Sequence, residues 1–272
     1  MRYLRELLDS RELLYNLTMR EVKGKYRRTI FGQLWSLLNP LATMIVYTIV
    51  FSLIFRARPS VGDPSGLDVY ALWLMCGLLP WTYFTRVVNG GMSSIISNGS
   101  LIKKVYFPRI HLPLAVATST GFTWVNEMGL LALVLLLFGA VVIPWLPVVL
   151  VFMLLLAMFA VGLAMLLAIA NVHFRDMQHF TAILLQMWFY LSPILYPVTL
   201  VEEVAEQRGQ WILDVYRLNP IERFVAVFRQ LMYDNRWPDP VDALWCLFWA
   251  VAVFSLGALV FVRNEKKLAE LL

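Results

Sequence analysis

Charge, cysteine and histidine are all scarce in this 272-residue chain. Asp, Glu, Lys and Arg make up 15% of it, where a soluble globular domain carries about 25%. The two cysteines, Cys76 and Cys246, lie inside apolar runs and read as buried free thiols, which excludes a disulfide-built scaffold. The three histidines, His111, His173 and His179, have no Cys or carboxylate at metal-ligand spacing, so no metal site is expected. The phosphate-cradling pattern GxxxxGK[ST] is missing, and the Gly24-Lys25 pair has Met19 where the first glycine belongs. If ATP drives this protein, another chain must bind it. No cluster of carboxylates or histidines suggests an enzyme. A secretory signal is not expected either, since the first apolar run begins only near Leu34, after a charged segment without a cleavage pattern.

Apolar residues are abundant instead: they form 60% of the chain, and the mean hydropathy is +0.69. The organising stretch is 20–55. Its cations Arg20, Lys23, Lys25, Arg27 and Arg28 run almost directly into about twenty apolar residues, the number needed to cross about 30 Å of hydrocarbon. Residues 10–31 show roughly helical spacing of Leu13, Leu14, Leu17, Val22, Tyr26 and Ile30, with cations between them. That pattern predicts an interfacial amphipathic helix, either a plain anchor or a working gate.

Six spans are expected, over 34–55, 69–96, 113–141, 148–171, 179–198 and 241–262. Asn39-Pro40 should kink the first span near its start. The stretch 199–240 is too short and too charged in each part to span, and is expected to form external helices dipping into or capping the outer half of the membrane. With both termini inside, fifteen Lys/Arg fall on the cytoplasmic side and seven outside, as the positive-inside rule requires. The fold class is therefore an all-α membrane protein, a single transmembrane domain over 1–272. The net charge of +5 needs no nucleic-acid partner, because topology accounts for where the cations sit.

Two inside loops look built for docking. The first, 97–112, carries Lys103, Lys104, Tyr106, Phe107 and Arg109; the second centres on Arg175 and Asp176. An ordinary positive-inside loop explains either equally well. Arg86 in the second span and Glu127 in the third fall near mid-membrane when the spans are laid antiparallel. Charges at that depth must pair or face a polar path. Aromatic residues are dense in the first, second and fifth spans, among them Trp35, Tyr47, Phe51, Trp81, Tyr83, Trp188 and Tyr190. Aromatic planes stack on the C–H faces of sugars and would let a glycan slide, although core packing explains any single one of them.

Taken in order, Tyr26-Arg27-Arg28, Gly32-Gln33-Leu34-Trp35-Ser36, Asn39-Pro40 and Gly77-Leu78-Leu79-Pro80-Trp81 resemble type-2 ABC transporter permeases that export cell-surface polysaccharides. Lys103-Lys104-Val105-Tyr106-Phe107-Pro108-Arg109, Leu112-Pro113, Phe174-Arg175-Asp176, Ser192–Pro197 and Leu218-Asn219-Pro220 continue the likeness over nearly the whole chain. The resemblance implies a multi-pass cytoplasmic-membrane homodimer joined to two copies of a separate P-loop ATPase, where ATP and magnesium bind. It implies that Lys103–Arg109 is the coupling helix, with Arg175 and Asp176 a second ATPase contact. The cations Lys23, Lys25, Arg27 and Arg28, with Tyr26, would meet the pyrophosphate of a polyprenyl-linked glycan at the membrane surface. The named aromatics would line a channel, and 199–240 would close it outside. Export of a drug or small lipid is the alternative, with an ATP-independent channel or secondary transporter behind it.

Overall fold

The computed structural model describes residues 10–26, 30–54, 61–105, 107–174 and 176–265. Every regular element among them is helical. Helix α1 (Arg11–Tyr26) precedes α2 (Trp35–Tyr47), which runs without a break into a π-helical turn, Thr48–Ile54. Next come α3 (Tyr70–Ser97), the short α4 (Gly99–Lys104), α5 (His111–Leu137) and α6 (Leu146–His173). Helix α7 (Met177–Tyr190) leads to three short helices, α8 (Thr199–Arg208), α9 (Trp211–Arg217) and α10 (Pro220–Arg229). A π-helical turn, Gln230–Asp234, and the long α11 (Pro240–Asn264) complete the order.

Among the described residues four segments are long and apolar enough to cross a membrane: Tyr70–Ser97, His111–Leu137, Ile143–His173 and Pro240–Asn264. Their ends follow local chemistry. Asp239 caps α11 by accepting from Val241 N–H at 2.8 Å, with Pro240 in the first turn where its missing N–H costs nothing. Helix α5 stops at Leu137, short of the expected residue 141, because Gly139 takes φ 94° just beyond it. Ala140 N–H then bonds Leu135 C=O at 3.0 Å and Gly139 N–H bonds Leu136 C=O at 3.1 Å, the paired closure of a Schellman turn.

The fifth expected span differs from the reading 179–198. Helix α7 has 14 residues and ends at Tyr190, about 21 Å of helix, because Pro193 and Pro197 follow in a run of turns. Pro40 stands inside α2 and is buried.

Helix α3 is the most enclosed of the four long segments and α11 the least. Helices α6 and α11 share the most extensive packing, and α3 lies against both α5 and α6. The α6–α11 crossing depends on two glycines. A Cβ on Gly162 would stand 2.5 Å from Val253 C=O, and one on Gly257 would run into the backbone of Gly162. Backbone meets backbone there because neither residue has a side chain.

Candidate functional site

Helix α1 lies along α5 with Leu17, Thr18 and Val22 buried between them. Three polar contacts pin it. Ser10 Oγ bonds His111 Nε2 at 2.7 Å, Arg20 donates to Asn98 Oδ1 at 2.5 Å, and Lys25 Nζ donates to Thr120 Oγ1 at 3.2 Å and to Ser119 Oγ at 3.4 Å. Lys25 is exposed as a whole, yet its ammonium is crowded enough that lost hydration, and then the neighbouring Arg86, hold its pKa below the ordinary lysine value.

Under Lys25 opens a polar cavity of about 420 Å³, walled by Arg86, Ser93, Ser94 and Ser97 from α3 and Ser119 and Thr120 from α5. A smaller recess of about 160 Å³ adjoins it, bounded by Lys25, Arg86, Thr120 and Glu127 and closed by Trp35 and Asn39 of α2. The polar wall follows from helical periodicity, since Ser119, Thr123 and Glu127 recur every four residues, with Thr120 three before Thr123, and so lie along one side of α5. Arg86 Nη1 donates to Glu127 Oε1 at 2.9 Å. The two members sit differently: the Glu127 side chain is 2% exposed and the Arg86 side chain 42%. Glu127 Oε2 is buried with no hydrogen-bond partner among the described residues.

In the two loops expected to dock a partner, Lys103 and Lys104 end α4 and are exposed. Phe107 is 6% exposed and packs into the core, so it anchors this segment rather than offering itself to a partner. Arg109 pairs with the end of α11, its backbone N–H donating to Glu265 Oε1 and its guanidinium to Glu265 C=O. Asp176 is exposed at the start of α7. Tyr106, Arg175, Arg27 and Arg28 lie outside the described residues, as does the side chain of Tyr26; Lys23 is exposed on α1.

The aromatic residues divide. Tyr83 is 2% exposed and stacked on Trp124 with ring centroids 4.1 Å apart, within the core of the chain. Trp81 is almost as enclosed, packed on Phe84 and Phe189 at the floor of a groove between α3 and α7. Tyr47 stacks on Phe51, and Phe51 on Tyr70. Trp188 is partly buried, while Trp35 and Tyr190 are exposed.

The short helices α8–α10 clasp the end of α7. Asn219 is the joint: its Oδ1 accepts from Ile221 N–H at 3.0 Å, capping α10, and from Trp188 Nε1 at 2.8 Å, while its Nδ2 donates to Ser192 Oγ at 2.9 Å. Arg229 is buried without an acidic partner among the described residues. It donates to the carbonyls of Pro193 at 2.6 Å and Ile194 at 2.9 Å, and its guanidinium lies 3.4 Å over the Trp73 ring. Arg229 is one of the cations of the charged stretch 199–240, and nothing in its sequence neighbourhood announces burial. Beside it Arg223 pairs with Asp242 of α11. Arg223 Nε also lies 3.1 Å from Glu222 Oε2, close enough for attraction but without the alignment of a hydrogen bond. Burial pushes the Glu222 carboxyl up to about 7 against the pull of Arg223, and Asp242 adds to the rise.

A bundle of long apolar helices with an internal polar recess and charged loops at its end has the make-up of a membrane transport subunit. The chain belongs to the ABC-2 type transporter family, whose model matches residues 12–233. It is 31% identical to the O-antigen export system permease protein RfbA of Myxococcus xanthus, over 99% of this chain and 98% of that one. It is 28% identical to the O-antigen export system permease protein RfbA of Klebsiella pneumoniae, over 82% and 81% of the two chains. With the capsule polysaccharide export inner-membrane protein CtrC of Neisseria meningitidis it shares 25% identity, over 97% and 95%.

Proposed function

We propose that this permease is the membrane subunit of an ATP-driven exporter that carries a lipid-linked cell-surface polysaccharide across the cytoplasmic membrane. The observation that carries this reading is end-to-end similarity to permeases named for O-antigen and capsule export, extending to 31% identity over 99% of the chain. The working unit is a homodimer with two copies of a P-loop ATPase, which bind ATP and magnesium. Both termini are cytoplasmic. The segments 34–55 and 179–198 complete six crossings once two copies and the bilayer enclose the short helices α2 and α7.

In this account Lys103, Lys104 and Asp176 present the ATPase-facing surface, with Tyr106 and Arg175 in the same two loops. Arg109 ties the first loop to the end of α11, so a push on it reaches a long helix directly. Helix α1 is the entry gate, held by its bonds to α5 and Asn98. The external helices, locked by Asn219 and Arg229, form the exit side. The test is a strain lacking this subunit. It should lose surface polysaccharide and accumulate the lipid-linked polymer inside, and the wild-type subunit should restore export while Lys103→Glu/Lys104→Glu does not. Unchanged surface polysaccharide would contradict the reading and favour a drug or small lipid as cargo.

A further inference from the structure

A hollow of about 510 Å³ opens between the short helices α8–α10 and the start of α11. Its floor is already satisfied. Arg223 pairs with Asp242, Gln230 Nε2 donates to Asp242 Oδ2 at 3.2 Å, and Gln230 Oε1 accepts from Asp239 N–H at 2.9 Å. Its rim is not. Glu202 of α8 and Arg217 of α9 attract each other at 3.6 Å, too long for a hydrogen bond, and both side chains are half-exposed. An exposed pair of that length adds little to stability, so the fold gains little from holding the two together. On the α11 side Arg236 and Asp239 are also exposed, and Pro197, Val198 and Val241 add apolar surface between the charges.

Charge balance decides the class of ligand. Among the described residues four arginines face five carboxylates around the hollow, and burial holds one of those, Glu222, up to about 7. With the signs nearly matched, neither a polyanion nor a polycation is drawn in on net. Such a lining favours a neutral molecule that accepts and donates at adjacent positions. A guanidinium donates to one hydroxyl oxygen while the carboxylate beside it accepts from the next hydroxyl. A pyranose has that edge, and its C–H face suits the apolar part of the wall.

We propose that this hollow is a subsite for a neutral sugar unit of the exported polymer, a refinement that rests on the export reading above. Arg217 donates to one oxygen of a vicinal diol and Glu202 accepts from its neighbour, with the ring face against Pro197 and Val198. Arg236 and Asp239 offer a further donor and acceptor on the α11 side. All four polar contacts come from the accessible rim; the buried floor only holds the walls in place. A unit held there keeps the emerging chain from sliding back, and binds weakly enough to move on.

The test uses the full chain purified with its ATPase in nanodiscs, with binding read by saturation-transfer NMR. The probes are short neutral oligosaccharides from partial acid hydrolysis of the host's surface polysaccharide, a sulfated disaccharide, and spermidine. The neutral oligosaccharides should bind with a Kd of about 1 mM. Glu202→Ala/Arg217→Ala, which leaves neither charge unpaired, should weaken them about tenfold, the size expected for one hydrogen bond to a charged group. Each single change should weaken them as well, and Arg208→Ala, on α8 but off the hollow, should change nothing. Equal binding by wild type and the double variant overturns the site, as does a complex that exports polysaccharide yet shows no saturable binding. Tighter binding of the sulfated disaccharide or of spermidine overturns the neutral-sugar assignment. Variant-sensitive oligosaccharide binding, in a host whose surface polysaccharide survives loss of this subunit, would sink the export reading and leave the sugar site standing.

Discussion

At the scale of single residues, the buried polar groups separate by what their removal strands. Arg229 holds two carbonyls of the turn after α7 and covers Trp73. Arg229→Met leaves those carbonyls without donors, and the melting temperature should fall by an amount corresponding to about 3 kcal/mol. Arg229→Lys should recover only part of this, since a single ammonium lacks the planar fork that reaches both carbonyls over an aromatic face. Glu127 is enclosed and Arg86 half open. Glu127→Gln, which leaves a guanidinium inside the bundle without its counter-charge, should therefore reduce the yield of folded protein more than Arg86→Met/Glu127→Leu does. Size-exclusion yield after solubilisation measures both. The pairing of Arg86 with Glu127 was legible because two charges in long apolar runs have few partners to choose from. Arg229 was not, because an arginine among external charges looks the same whether it is solvated or buried.

Among the elements, apolar run length sets the long helices, and glycine and proline set their ends. That is why α3, α6 and α11 begin and end within two residues of the expected spans, whereas Gly139 ends α5 early and Pro193 ends α7. Run length does not reveal which helices touch. The α6–α11 crossing rests on Gly162 and Gly257, two small residues unremarkable in sequence. Gly162→Leu should separate the two helices and cost about 1–3 kcal/mol, visible as a lower unfolding temperature in detergent. The hydroxyl face of α5 was present in the spacing of Ser119, Thr120, Thr123 and Glu127, but only the packing of α1 against it makes it a cavity wall. The short helices after α7 carry a pH dependence. Glu222 has a folded pKa of about 7, above the usual carboxylate value, so its contribution is full below about pH 4 and is lost as pH rises towards 7. The clasp should loosen over that interval by up to about 3 kcal/mol. Glu222→Gln, fixed in a neutral form, should flatten the pH profile of stability and match or exceed wild type above pH 7.

For the molecule as a whole, the elements divide the work between two faces. Lys103 and Lys104 stand exposed at one end of α3's extension, and the loop they start is fastened to α11 through Arg109 and Glu265. At the other end of the bundle, Asn219 and Arg229 fasten the short helices to the end of α7. Helix α3 runs between the two and is the most enclosed of the long helices, which suits a rigid strut through which one end works on the other. The central claim is that an ATPase on a separate chain drives this subunit through the loops at Lys103–Arg109 and Asp176. It is tested most directly by purifying the tagged chain from its native host and measuring ATP hydrolysis in nanodiscs. The account predicts that a P-loop ATPase co-purifies in equal amount, that the complex hydrolyses ATP, and that Lys103→Glu/Lys104→Glu removes the partner or at least tenfold of the activity while the chain stays folded. A chain that purifies alone, or a complex whose hydrolysis is unchanged by that variant, would contradict it.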